Sequence, residues 1–185
     1  MHFESRFVVS GTPQLVLEHF ANVPLMASFL PGASVGVPSD DGTYPATLVA
    51  SFGPKKIAFS GSLTNSVDNA ALAGVLVGQA SADVRGARIG VKMNYSLSTA
   101  APSVTQVRLE SDAQLTGVLA DFANAGGAIV AEALIAEFAR RFSDHVEART
   151  AGTALTEVPR AATLSAFAVF VALMRRLKQR LWRAT

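Results

Sequence analysis

Apolar side chains recur at every second position through much of the first 115 residues, then at every third or fourth. Residues 3–9 read as a strand. Gly11-Thr12-Pro13 follows as a turn into a helix over 13–22, with Thr12 as N-cap and Pro13 at the first helical position. That helix is expected to gather Leu15, Val16, His19 and Phe20 on one face; a shorter helix over 24–30 is stopped by Pro31-Gly32. Six strands follow, at 33–38, 43–52, 55–67, 71–81, 87–99 and 104–115, with turn residues between them. Their apolar rows are Ala46, Leu48, Ala50 and Phe52; Ile57, Phe59, Gly61 and Leu63; Ile89, Val91, Met93, Tyr95 and Leu97; and Val107 with Leu109. Strands this close together pair antiparallel, because a parallel crossover needs about a dozen residues.

From Val118 to about Arg149 the period becomes helical, and Leu119, Phe122, Ile129, Ala133, Leu134, Phe138 and Phe142 share a broad face. A helix of that length must bury its stripe against one face of a curved sheet, and any space left between them is an apolar pocket. The chain then divides into a domain over 1–149, a linker over 150–160 containing Gly152 and Pro159, and a tail over 161–185.

Charge changes the picture of that tail. Residues 1–159 hold ten basic and all fourteen acidic residues, whereas Arg160, Arg175, Arg176, Lys178, Arg180 and Arg183 follow with no acid among them. Fourteen uncharged residues, 161–174, lead into this basic cluster beside Trp182. At helical spacing Phe167, Phe170, Val171, Met174, Leu177 and Leu181 lie on one side, Lys178 near it, and Arg176, Arg180 and Arg183 away. Such a segment suits an anionic membrane surface. Fourteen helical residues reach about 21 Å, short of a hydrocarbon core of about 30 Å, so the tail is expected to lie in the interface. The alternative is a helix packed on its own domain or in an oligomer. Nucleic-acid binding is not indicated, since no basic fold accompanies the cluster.

Half of the residues are apolar and 16% are charged. The chain has no cysteine, which excludes disulfides, thiolate metal sites and a thiol nucleophile. Residues 1–6 form no apolar run, so a secretory signal is not expected and the protein should meet the cytoplasmic side of the membrane peripherally.

Candidate chemistry is sparse. Gly32-Ala33-Ser34-Val35-Gly36 fits G-x-S-x-G, but Val37-Pro38 follows instead of a helix, so a turn into an edge strand is the better reading. His2, His19 and His145 show no metal-ligand spacing, and His19 reads as a satisfied, partly buried histidine. Asp40-Asp41-Gly42 reads as a hairpin turn. Gly126-Gly127 would cost a helix about 2 kcal/mol relative to alanine. They either allow close packing or a kink, or leave room for a ligand. In the second case Phe122, Ile129, Ala133 and Phe138 line one wall, and Phe52, Phe59, Met93 and Tyr95 the other. No catalytic residue and no metal site is assigned.

Leu30-Pro31-Gly32, the run Tyr44-Pro45-Ala46-Thr47, the hairpin Phe52-Gly53-Pro54-Lys55-Lys56-Ile57-Ala58-Phe59-Ser60-Gly61 and the helical Ala136-Glu137-Phe138-Ala139-Arg140-Arg141-Phe142 carry a resemblance. Over about residues 1–147 the chain resembles the G-subunit family of carbon-monoxide dehydrogenase, within the START-like (SRPBCC) helix-grip superfamily. The resemblance implies an α+β fold, a curved antiparallel sheet wrapped around a long C-terminal helix. It also implies a non-enzymatic partner that recruits molybdenum carbon-monoxide dehydrogenase to the membrane, where electrons enter a quinone pool. The superfamily typically holds hydrophobic ligands in the cavity under the long helix; a respiratory quinone, or another isoprenoid or lipid, is the expectation from an apolar cavity combined with a membrane-seeking tail. A purely structural tether, or a lipid-binding partner of another molybdenum hydroxylase, are the alternatives. Two departures stand out: Ala33 replaces a cysteine frequent in the family, and Val49, Ser51, Ala58, Ser60 and Ser62 stand where solvent-facing lysines are common.

Overall fold

The computed structural model describes residues 1–52, 55–82, 84, 86–117, 119–120 and 128–150, with backbone alone at 50–52, 55, 128–130 and 150. Seven strands form a single sheet: β1 (His2–Ser10), β2 (Ala33–Val35), β3 (Tyr44–Phe52), β4 (Lys55–Asp68), β5 (Ala73–Ala82), β6 (Arg88–Ala101) and β7 (Val104–Thr116). Their order is β1-β7-β6-β5-β4-β3-β2, and every neighbouring pair is antiparallel. Helices α1 (Pro13–Ala21) and α2 (Val23–Phe29) link the two edge strands, and α3 (Ala128–Thr150) packs against β1 and α2. This is the helix-grip architecture expected of the sequence.

The local devices are those the residues dictate. Thr12 caps α1 by accepting from the Leu15 N–H at 3.4 Å, with Pro13 opening the helix. Pro31-Gly32 ends α2 and turns into β2; Gly32 has φ +80°, and a Cβ there would stand 2.3 Å from the Val49 carbonyl oxygen. The 39–43 turn closes the β2–β3 hairpin through Ser39 N–H to Thr43 O and Thr43 N–H to the Asp41 carboxylate.

Three details differ from the expectation. The strand expected at 33–38 ends at Val35, because Pro38 has no N–H for a ladder and the chain already enters its turn. β5 starts at Ala73: Leu72 has φ 51°, and the Asp68 carboxylate accepts from the N–H groups of Ala70 and Ala71 to form the preceding turn. On α1 the buried residues are Pro13, Val16, Leu17, His19 and Phe20, whereas Leu15 is exposed, since the 13-16-17-20 stripe is the one that faces the core. Val49, Ala58, Ser60 and Ser62, expected from the resemblance to face solvent, do point away from the helix, and the first three are exposed. The expected linker, the tail and the Gly-Pro hairpin tip lie outside the described residues, apart from Thr150 at the end of α3.

Candidate functional site

Strand register lines up residues on the concave face in rows that cross the sheet. One row is Leu109, Tyr95, Gly74 and Val67; the next are Ser111, Met93, Leu76 and Asn65, then Ala113, Val91, Gly78 and Leu63, then Leu115, Ile89, Ala80 and Gly61. At one end a large buried cluster joins Val9, Val16, Phe20, Phe29, Tyr95, Leu97, Val107, Leu109, Phe142 and Val146, with Ile135 and Phe138 of α3 packed on it. At the other end a small cluster holds Phe59, Ala87 and Leu119, with Leu48, Ile57 and Leu115 against it.

Among the described residues the two clusters share no member. All eight residues of the last two rows are only half-buried; Leu115, Ile89 and Ala80 border the small cluster, whereas Ala113, Val91, Gly78, Leu63 and Gly61 belong to neither cluster. Four of the eight are Gly or Ala, and none carries a charge. An uncharged strip of this kind, only half-buried between two packed clusters of the described residues, is the shape of an apolar binding surface.

Polar groups approach this band from the larger cluster. The Tyr95 hydroxyl donates to Asn65 Oδ1 at 3.1 Å, and Asn65 Nδ2 donates to the Phe20 carbonyl at 2.9 Å, tying β6, β4 and the end of α1 together. Burial pushes the Tyr95 phenol up, and the hydrogen bond to Asn65 opposes it. Tyr95 is therefore a neutral, committed donor. Ser111, 8% exposed, adds a hydroxyl next to Met93 in the register.

Behind the large cluster, α1, α2 and α3 bring His19 and His145 together, ring centroids 5.7 Å apart. Nδ1–H of His19 donates to the Leu15 carbonyl at 2.7 Å, which leaves its Nε2 as an acceptor. Both Nε2 atoms are buried without a hydrogen-bond partner among the described residues. The two histidines looked scattered in sequence; the fold makes them neighbours, and His19 is only half satisfied. No group of three metal-binding side chains occurs among the described residues.

Of the residues expected to line a cavity, Phe59 is buried in the small cluster, Tyr95 in the large one, and Met93 and Phe138 are half-buried against the large one. Ala133 is half-buried on α3. Phe52, Phe122, Gly126, Gly127 and Ile129 have no described side chain, and Phe167 through Arg183 lie outside the described residues. Leu63 and Val91 stand in the apolar rows expected from the sequence without being expected as lining; Gly78 and Ala80 stand in no expected row, because Val75 and Val77 on the other face of β5 hide its alternation.

Two other features lead elsewhere. Ser34 of the G-x-S-x-G run is exposed on β2 and bonded to Thr47 Oγ1 at 2.7 Å, with no helix after it, so it is an edge-strand residue. On the outer face, a recess of about 430 Å³ is lined by Ser66, Asp68, Asn94, Ser96, Arg108 and Glu110 among others, and Arg108 pairs with both Glu110 and Glu4. It is a polar groove whose charges already have partners.

A family model for the G-subunit of carbon monoxide dehydrogenase (CoxG) matches residues 6–147, from β1 to the last turns of α3. The chain belongs to this family. Membership in the CoxG family implies association with carbon monoxide dehydrogenase. Solved structures agree on the fold. A conserved protein from Geobacillus kaustophilus superposes with a TM-score of 0.69 at 14% identity, covering 80% of this chain and 95% of its own. The Zhui aromatase/cyclase from Streptomyces sp. R1128 gives 0.62 at 16%, covering 81% and 95%. A START superfamily protein from Mycobacterium smegmatis gives 0.52 at 10%, covering 79% and 97%. No curated protein sequence matches the chain significantly. The fold thus hosts enzymes and other proteins, and only the site can separate them.

Proposed function

We propose that this CoxG-family protein is a non-enzymatic accessory protein. It holds a lipophilic ligand on the concave face of its sheet and serves carbon-monoxide dehydrogenase at the cytoplasmic membrane. The observation that carries this reading is the half-buried, uncharged band that separates two buried clusters among the described residues. Burying apolar surface there would gain roughly 25 cal/mol per Å², with no charge to desolvate. The ligand class that fits is an uncharged apolar molecule, and a respiratory quinone meets that description while linking the dehydrogenase to the respiratory chain.

Catalysis finds less support. General acid–base chemistry needs a titratable group at the reacting atoms. The described side chains of the inward rows bring no carboxylate, Lys or Arg there, and Tyr95 already donates to Asn65. The basic tail supplies attachment: about 1 kcal/mol per basic residue near an anionic surface, added to buried Phe, Leu and Trp, is enough to hold the protein on a bilayer. No helix among the described residues is long and apolar enough to cross one.

The test is solvent extraction of protein purified without detergent, with mass spectrometry of the extract, followed by titration of the stripped protein with a short-chain ubiquinone analogue. Recovery of a quinone, or saturable uptake near one molecule per chain, supports the reading. An empty extract together with no uptake leaves only a structural tether.

A further inference from the structure

Three glycines face inward on β4 and β5, and they are glycine for different reasons. At Gly61 a Cβ would lie 1.9 Å from the Gln79 carbonyl oxygen and 2.8 Å from the Ala80 Cβ. At Gly74 it would lie 2.2 Å from the Tyr95 hydroxyl. Close approach of backbone and ring explains both.

No described neighbour gives Gly78 such a reason. A Cβ there would meet Leu63 Cβ at 3.6 Å and the Ser62 carbonyl at 3.7 Å, ordinary van der Waals contact on the helix-facing side, and Gly78 is not among the glycines with positive φ. It sits in mid-strand between Leu63 and Val91, within the half-buried band. A glycine inside a strand costs stability through the entropy of the unfolded chain and the packing it forgoes. The protein bears that cost where no described neighbour requires it.

We infer that Gly78 is a specificity-determining position: its missing side chain is the floor of the ligand space and sets how bulky a group can lie against the sheet. This rests on the ligand-binding reading above. With Ala80, Val91 and Ala113 around it, the floor is smooth and suits a flat apolar ring, which gains by face-on contact over all its atoms. A side chain at 78 would rise into that space. A single flexible acyl chain could bend around it; a rigid ring could not.

The experiment is a size series, Gly78→Ala, Gly78→Val and Gly78→Leu in the full chain, titrated with a short-chain ubiquinone analogue and with palmitate. Urea unfolding is followed on each variant. Affinity for the ring-bearing probe should fall stepwise, by roughly tenfold or more by leucine, as expected when an apolar pocket loses room for a methylene or more. Palmitate affinity should fall less. The urea midpoint should hold or rise, whereas Gly61→Ala should lower it. Equal ring affinity across a folded series overturns the inference and leaves the ligand-binding reading intact, as does an unfolded Gly78→Ala. Wild-type protein that takes up neither probe overturns both.

Discussion

The imidazoles of His19 and His145 meet edge to face with centroids 5.7 Å apart, each with a buried Nε2 that no described group satisfies. His145 is held below its ordinary value of 6.5, first by burial, then by the nearby His19 and by Arg149. In the unfolded chain it titrates at the ordinary value, so between the two values the unfolded state binds more protons. The stability from a neutral His145 is therefore complete above about pH 6.5 and drains away as the pH falls. Urea midpoints should decrease from pH 7.5 to 5.5, and His145→Leu should flatten that decrease. An unchanged slope in the variant would place the pH dependence elsewhere.

Phe142 is the hub of the large cluster: fully buried, it contacts His19, Phe20, Phe29 and Phe138 through their rings. Phe142→Ala should cost about 3–5 kcal/mol, the range for deleting a buried aromatic. Calorimetry or urea unfolding measures it. A loss below about 1 kcal/mol would mean that α3 does not depend on this contact.

Glu137 lies one turn before Arg140 and Arg141 and bonds both, Arg140 at 2.9 Å and Arg141 at 2.6 Å. These bonds, the one from Arg140 foremost, lower its carboxyl from 4.5 to about 2 despite some desolvation. A depressed carboxylate stabilises above its unfolded value, and the benefit is lost as the pH falls from about 4.5 through about 2. Arg140 is largely exposed, so screening keeps the gain below about 1 kcal/mol. Glu137→Gln should shift the acid-unfolding midpoint upward by a few tenths of a pH unit in low salt and hardly at all in 1 M salt.

Attachment to a membrane should be electrostatic in part. Replacing Arg175, Arg176, Lys178, Arg180 and Arg183 by Gln should weaken binding to phosphatidylserine-containing vesicles by at least about a hundredfold. Vesicle co-sedimentation at two salt concentrations reads this out. Undiminished binding would mean that apolar insertion alone, or another surface, holds the protein.

Much of the fold was legible because alternation and turn chemistry are local. Thr12-Pro13, Pro31-Gly32 and Asp41-Gly42 mark their turns through dihedral limits and missing N–H groups that one short stretch reveals. What stayed hidden depends on distant partners. Nothing around His19 or His145 announces the other, and Leu15 and Leu17 trade places because only the packed sheet decides which stripe faces inward. In the site, the alternating rows were visible as strands. Sequence could not separate Gly61 and Gly74, where close neighbours forbid a side chain, from Gly78, where the described neighbours leave room for one.

The split between the two buried clusters of the described residues bears on how this domain responds to its surroundings. A molecule lying between them would act as the missing piece of a single core, so its chemical potential would enter the folding equilibrium directly, as RT ln(1 + [L]/Kd). At a ligand concentration a hundred times Kd that is about 2.7 kcal/mol, comparable with several buried methylenes. The filled and empty forms would then differ in lifetime inside the cell, and supply of the ligand would govern how much of the protein persists.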